Sequence, residues 1–570
     1  RTDDSMTLAL YPAAQRPRLN PADSSPPSPA VSYPVSPQSD AEFVSHNIVH
    51  QAFSAAAVSS SSLPVTFKQA LASHDAALWS AAIATELQAH DSNHTWSIVK
   101  LPPGRRAIGC RWVFNIKDAN SPPTYKARLV AQGFRQIQGL DYFETFSPVV
   151  RYDSIRIIFA LSAQYGLAIH QMDVTTAFLN GHLNEEIYMK LPDGVTGADD
   201  DVCKLDKSLY GLKQAPLCWN EAINAVLVSA GFTRSISEYG VYTKVGPNGV
   251  VIVALYVDDL LICSNDASQI QAVKDLLSSH YKMKDLGLVK TFLGMQVNQQ
   301  DGQVAVQLSH YLHSFLLDFN MQDCNSVATP FAAGTDFLPG SAISAADTTR
   351  YRSMVGKLLF AANTCRPDLA YAASTLSRFI KDPRDNHVAA AKHVLRYIKG
   401  TLTHGLVYKY VKDFELVGFS DSDWAGDKAD RKSITGYVFT LANAAITWKS
   451  KKQPTVALSS TEAEYMALGD TVKELLWLKQ LLTQIGLHLL DPPVIYEDNE
   501  GCKLLTSHPV AHQRTKHIDI RHHFVRDHLS NNHYRLHSAR TDDMFADMFT
   551  KNLGRVKFHG FVNSIGIRNI

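Results

Sequence analysis

The spacing of apolar positions changes period along the chain, and each change predicts an element. Val250-Val251-Ile252-Val253-Ala254-Leu255 and Leu261-Ile262-Cys263 are β-branched and apolar runs on either side of Tyr256-Val257-Asp258-Asp259-Leu260. Two such runs predict a buried β-hairpin with the Asp pair at its turn. The segment 169–178 likewise reads as a strand running into a turn, with Asp173 near its end. Leu78 to His90 places Trp79, Ile83 and Leu87 on one helical face. Arg111 to Lys117 and Ala127 to Gln132 read as strands, Asn220 to Gly231 and Gln269 to Tyr281 as helices, and Lys290 to Val297 as a returning strand. Residues 308–411 read as mainly helical, with Val388, Ala391, Leu395 and Ile398 as one apolar stripe. From Phe414 the pattern turns to strands, then to a long amphipathic helix over Thr461 to Gly486, then to alternating strand and helix. Residues 1–64 are rich in Pro, Ser and Ala, as in Ser24 to Pro29 and Ser59 to Ser62. Such a segment buries too little apolar surface to offset its ordering entropy, so a disordered linker is expected. No internal repeat is evident.

Composition narrows the class. At 570 residues, 45% hydrophobic and 19% charged, the chain is long enough for several domains with ample cores. A formal net charge of +1 leaves any nucleic-acid groove to local clustering; Arg105-Arg106, Lys449 to Lys452 and His512 to His523 are candidates, each also readable as a solvated face. The seven cysteines are scattered, with no CxxC pair, which fits a reducing compartment and suggests neither zinc site nor disulfide framework. No signal peptide is visible, and the longest apolar run is broken by the Asp pair, so no membrane span is expected. The start at Arg1 is expected to mark a fragment or processed product.

The acids change the picture most. Asp is common in surface turns, and Asp258-Asp259 alone would be read that way. Between buried strands, however, adjacent carboxylates repel and are costly to desolvate unless a cation holds them. Magnesium takes oxygen ligands and leaves room for substrate phosphates. One further acid on another strand, Asp173, completes the set that two-metal phosphoryl transfer needs, with ions about 3.5–4 Å apart.

Several motifs follow in order: Tyr125-Lys126-Ala127-Arg128-Leu129-Val130-Ala131, Glu144-Thr145-Phe146-Ser147-Pro148-Val149-Val150, Asp173 to Gly181, Ser208-Leu209-Tyr210-Gly211-Leu212-Lys213-Gln214-Ala215-Pro216, and the Tyr256 to Leu260 stretch. From about Phe67 to its end the chain closely resembles the reverse transcriptase portion of copia-type LTR retrotransposon polyproteins. The resemblance implies a mixed α/β (α+β) fold, a right-hand polymerase of fingers, palm and thumb followed by an RNase H-like domain. The implied division is a linker over 1–64, fingers and palm over 65–307, a helical thumb and connection over 308–412, and the RNase H-like domain over 413–570. In such polyproteins the linker position joins integrase to polymerase.

By the same resemblance, Asp173, Asp258 and Asp259 hold the polymerase metals. Lys126 and Arg128 grip the triphosphate of an incoming dNTP, and Tyr210, Gly211 and Lys213 lie under the nucleotide. Phe178 blocks a ribose 2′-OH, although a core Phe would look the same. Leu293, Gly294 and Met295 resemble a primer grip, although a plain strand would look similar.

In the last segment four acids stand where the order of elements is that of an RNase H fold: Asp421 on a first strand, Glu464 early in the long helix, Asp498 after a strand at Val494 to Tyr496, and Asp547 in a last helix. The motifs Gly418 to Gly426, Ser459 to Tyr465, Tyr496 to Gly501 and Phe545 to Lys551 match the copia-type RNase H, which implies a second two-metal centre. Asp423 shares a strand face with Asp421 and competes with it. Glu462 competes with Glu464, though helix spacing sets Glu464 on the face of Leu468 with Glu462 turned away. Asp519 competes with Asp547. Two departures from the family pattern, Leu217 after Gln214-Ala215-Pro216 and Ser538-Ala539-Arg540-Thr541 before the last acid, touch no metal ligand.

The implied activities are RNA-directed DNA synthesis and RNA degradation in the hybrid. The implied cofactor is Mg2+, two per centre, with Mn2+ as an alternative. The implied partners are RNA template, DNA primer, RNA–DNA hybrid and dNTPs, no membrane, and integrase or capsid parts of the same polyprotein. The implied location is a cytoplasmic virus-like particle with a later nuclear stage. Two rivals remain: a decayed, inactive copy acting at most as a nucleic-acid-binding protein, and an RNA-dependent RNA polymerase, against which Phe178 and the RNase H acids argue.

Overall fold

A computed structural model describes residues 63–117, 123–246, 249–300, 302–335, 337–338, 340–489, 491–507 and 519–570. The expected linker therefore lies outside the described residues except at its last two positions, as does most of the stretch His512 to His523. The chain is a mixed α/β protein whose two compact units do not follow chain order. One takes the described residues up to Pro148 with Val174–Gly231 and Leu277–Lys284; the other takes Val149–Asp173, Phe232–Leu276 and Asp285–Ile570.

In the first unit, alternation along Cys110–Lys117 and Thr124–Ala131 makes a two-stranded hairpin with one apolar face. Trp112, Phe114, Ala127, Leu129 and Ala131 are buried, while Lys126 and Arg128 stand exposed on the opposite face. The helix Ala76–Ser92 covers the apolar face with Trp79, which meets Phe114 and Tyr125 edge-on at centroid distances of 5.2 and 4.6 Å. The helix expected from Asn220 begins earlier, at Ala215, because Pro216 fits the first turn, where no amide partner is needed.

The second unit carries the expected hairpin inside a six-stranded sheet. Its strand order is 283–288, 168–174, 259–264, 249–256, 241–246, 233–234. Lys290 to Val297 is not one strand. Leu293 and Gly294 adopt left-handed φ of 48° and 84° and turn Thr291–Phe292 back onto Met295–Gln300. Helices 309–318, 345–364, 370–377 and 385–400 follow, and Ala391, Leu395 and Ile398 are buried as the stripe requires. The C-terminal sheet has the order 444–452, 434–441, 417–423, 494–497, 535–538. Its first three strands in the chain pair antiparallel, and the last two run parallel to the central one. The helix Ser460–Ile485 packs on the central strand, capped by the Ser459 side chain and stopped by Gly486 at φ 97°. Among the described residues no helix is long and apolar enough to cross a membrane.

Helix Tyr152–Tyr165 is buried continuously from Ser154 to Ala163 because it packs on strands 259–264, 303–307, 404–409 and 444–452. Burial includes Arg156, 2% exposed. Its guanidinium donates to the carbonyls of Ile446 (2.7 Å), Asn363 (2.8 Å) and Thr364 (2.7 Å), pairs with Asp153, and lies 3.9 Å over the Trp448 ring. Removing one partner of a buried ion pair costs about 3–5 kcal/mol, since the other charge stays buried. Arg156→Met should lower the melting midpoint of the full chain by a corresponding amount. An unchanged thermal transition would show that the guanidinium is not holding these elements together.

Candidate catalytic centres

The first centre lies on the six-stranded sheet. Tyr256 pairs with Asp259 across the hairpin, so the turn is Val257-Asp258 alone. Asp258 sits at the turn as expected, whereas Asp259 already belongs to the strand, where it is the direct partner of Asp173. All three acids are half-buried. Two-residue turns of this kind favour Gly or Asn, yet Val257 holds φ 55°. A β-branched residue there is strained, by roughly 1–3 kcal/mol, and persists only where its surroundings impose it. Gln171, two residues before Asp173 on the same strand face, donates to Asp259 at 3.2 Å. The sequence reading missed that contact, although the period of two points to it. Leu293 and Gly294 form an accessible turn, but Met295 is fully buried and turns its side chain into the core.

Among the first unit's candidates, Phe178, Tyr210 and Arg128 come together. Phe178, on the 3-10 turn Ala177–Asn180, meets Tyr210 edge-on at 4.9 Å, and Arg128 lies 5.0 Å from the same ring. Lys126 is on the same exposed strand face as Arg128. Lys213 donates its amide to Gln136 and its ammonium to the Tyr142 hydroxyl, both at 2.8 Å. Gly211, at φ 93°, needs its missing Cβ, because one would stand 2.2 Å from the Ala131 carbonyl.

The second centre is buried. Asp421, Glu464 and Asp498 bring ligand oxygens within 4.8 Å of one another, the only such group of three His, Cys, Asp or Glu among the described residues. The competing acids are engaged by backbone amides: Asp423 accepts from Ile434 N, and Glu462 from Leu458 N at 2.8 Å. Asp519 begins the helix Asp519–Ser530, but its side chain lies outside the described residues. Asp547 is on a 3-10 turn, Phe545–Phe549, rather than in the last helix, which starts only at Arg555. Gly436, opposite Asp421 in the sheet register, admits that turn: a Cβ there would meet Thr550 Cγ2 at 2.6 Å and Phe549 Cβ at 2.9 Å. Thr550 donates to Asp421.

Burial pushes the Asp421 carboxyl up to about 7, with Lys551 opposing and Asp547 adding to the rise. Burial, then Glu497, pushes Glu464 well up, and burial with Asp547 raises Asp498. Glu497, fully buried beside Asp498, is also pushed up by burial. Glu464 Oε2 and Glu497 Oε2 are buried with no hydrogen-bond partner. A cluster of hard oxygen donors with an orphaned carboxylate oxygen fits a divalent cation. Sequence reading missed Glu497, Lys551 and Lys557; the spacing of Lys551, four residues after Asp547, was the available signal.

The reverse transcriptase (RNA-dependent DNA polymerase) family matches residues 93–333, which include Asp173, Asp258 and Asp259. Relatives extend the likeness over most of the chain. The Pol polyprotein of transposon RE1 from Arabidopsis thaliana is 40% identical over 86% of this chain and 34% of its own length. That of transposon TNT 1-94 from Nicotiana tabacum is 39% identical over 89% of this chain and 39% of its own. A Ty5-1 transposon protein of Saccharomyces cerevisiae is 39% identical over 53% of this chain and 100% of its own length. The chain belongs to the copia-type retrotransposon Pol polyprotein family and carries its reverse transcriptase domain. It spans about a third of the length of the long Pol polyproteins that it matches. A solved foamy viral protease–reverse transcriptase in complex with RNA/DNA hybrid aligns at 13% identity and TM-score 0.42, over 81% of this chain and 54% of that one.

The crowding of carboxylates in the second centre has a consequence for stability. Asp498→Asn keeps shape and removes one negative charge from mutually repelling groups. In EDTA the variant should melt no lower than the parent, whereas with Mn2+ the parent should gain more thermal stability than the variant, as ligand linkage requires. A variant that melts lower in EDTA would show that the Asp498 carboxylate makes a stabilising contact instead.

Proposed function

We propose that the chain is an RNA-directed DNA polymerase with a C-terminal ribonuclease H, copying element RNA into cDNA from dNTPs and degrading the RNA of the resulting hybrid. The observation that carries the polymerase reading is the direct pairing of Asp173 with Asp259 beside a strained turn that presents Asp258. We infer a right-hand polymerase on this reading. The hairpin sheet is the palm, the 110–131 hairpin belongs to the fingers, and the helices after 308 are thumb and connection. The ribonuclease reading rests on the C-terminal sheet, whose strands in chain order lie 3-2-1-4-5, with Asp421 on the first, Asp498 after the fourth and Glu464 on the helix that packs between.

Asp173, Asp258 and Asp259 would hold divalent cations in one centre, and Asp421, Glu464 and Asp498 in the other. When bound, such ions neutralise phosphate charge and stabilise the attacking and leaving oxygens. The chain's own groups do the rest. Gln171 fixes the rotamer of Asp259, so a carboxylate oxygen is already oriented before substrate arrives. Lys126 and Arg128, exposed on one strand face, supply positive charge for a triphosphate. Tyr210 is buttressed by Arg128 and in turn braces Phe178, a rigid aromatic ring that would read a ribose 2′-OH.

Asp258→Asn should leave the fold intact and abolish Mg2+-dependent extension of a DNA primer on poly(rA), because the amide cannot supply the charge. Loss of one electrostatic group typically costs roughly 10²–10³ in rate. Extension at the parent rate would remove Asp258 from the centre. No extension by the parent chain with any divalent ion would leave a folded nucleic-acid-binding protein.

Phe178→Ala should raise rNTP incorporation relative to dNTP. If selectivity stays constant and stability alone falls, by about 3–5 kcal/mol for a lost core Phe, the ring is packing rather than a gate.

A further inference from the structure

The fourth carboxylate of the buried centre, Asp547, has two lysine ammonium groups beside it. Asp547 is fully buried, and an ammonium group lies beside each of its oxygens, although only Oδ2 is hydrogen-bonded. Oδ1 lies 2.6 Å from Lys551 Nζ, and Oδ2 accepts from Lys557 Nζ at 2.6 Å. Lys551 Nζ also lies 3.7 Å from Asp421 Oδ2. The two lysines arrive from different elements. Lys551 follows the 3-10 turn that carries Asp547, while Lys557 is on helix Arg555–Ser564 and is anchored by a 2.8 Å bond to the Thr541 carbonyl. The group of mutually close ligand oxygens accordingly contains Asp421, Glu464 and Asp498 but not Asp547.

A centre with two divalent ions needs carboxylates that face both. Here the ammonium of Lys551 stands between Asp421 and Asp547, the pair that would flank a second ion. We propose that Lys551 takes the place of that ion, so that the centre holds one divalent cation on Asp421, Glu464 and Asp498. The inference rests on the nuclease reading of this centre. Several features make the arrangement self-consistent. Lys557 alone satisfies one Asp547 oxygen, which leaves the other to position Lys551 toward Asp421. The Lys551 side chain is also 43% exposed, so its charge is presented outward, where a phosphodiester approaches the centre. Lys551 is thus a positioning residue for anionic substrate as well as a permanent counter-charge for two buried acids.

Ion counting tests this without reference to activity. Mn2+ bound to the full chain would be measured by electron paramagnetic resonance of the free ion, in parallel with a Glu464→Gln/Asp498→Asn variant whose polymerase acids are intact. The difference counts the ions of this centre, and the expected value is one. Lys551→Met, which keeps the length of the side chain and removes its charge, should raise the count by one, and Lys551→Arg should not. A difference of two in the parent chain overturns the proposal, as does a Lys551→Met count equal to the parent's in a variant that melts cooperatively. Should Lys551→Met fail to fold, the parent count decides by itself. A difference of zero overturns the nuclease reading of the centre, and the present inference with it.

Discussion

The guanidinium of Arg156 is the constraint on which the second unit depends. It cannot be buried without acceptors, and three of those it finds are main-chain carbonyls at Asn363, Thr364 and Ile446. The last is separated from it by 290 positions. Helix Tyr152–Tyr165 therefore reaches a satisfied state only when the C-terminal sheet is in place. That helix also packs on strand Asp259–Ser264, whose first residue is one of the acids of the first centre. A contact of such sequence separation forms late and ties distant segments into one cooperative body. A second bridge reinforces it. Arg151 stacks 3.6 Å over Trp477 on the long helix, and Gln484 on the same helix accepts from Ser235 and Ser237. The two groups of acids are chemically separate, but their scaffold is shared.

Much of this was legible in the sequence, because apolar periodicity fixes strands and helices and because the acids fall at their ends. The hairpin, the long helix and the placement of Asp173, Asp258, Asp421, Glu464 and Asp498 all follow from that. What periodicity cannot supply is the choice between groups two residues apart on a strand. Asp421 and Asp423 share a strand face, and the decision falls to Ile434 N, which claims Asp423. On the long helix the spacing itself separates Glu462 from Glu464, and Leu458 N claims Glu462 at the helix start. Asp421 is buried and Asp423 half-buried, a difference that the pattern of apolar positions does not announce. The 290–297 segment misled for a related reason. Its apolar content suits a strand, but left-handed φ at Leu293 and Gly294 converts it into a turn that no pairing pattern announces. Lys551 carried a signal in its spacing of four from Asp547, whereas Lys557, ten residues on and on a separate helix, carried none.

The two centres solve the same electrostatic problem differently. In the first, the acids are half-buried and solvent moderates their repulsion, so strain at Val257 sets the position of Asp258. In the second, Asp421 and Glu464 are buried and Asp498 half-buried, and burial pushes these three carboxyls toward the neutral form. Repulsion is strongest there when no ion is bound, because charges in a low-dielectric site are poorly screened. A domain built that way would be hard to fold before it meets a cation. Lys551 and Lys557 remove the difficulty by supplying positive charge from within the chain. Their presence is independent of ion concentration, so Asp547 can be buried completely. On the proposed reading, the counter-charge divides into a permanent part, the two lysines, and a variable part, the ion that Asp421, Glu464 and Asp498 would hold.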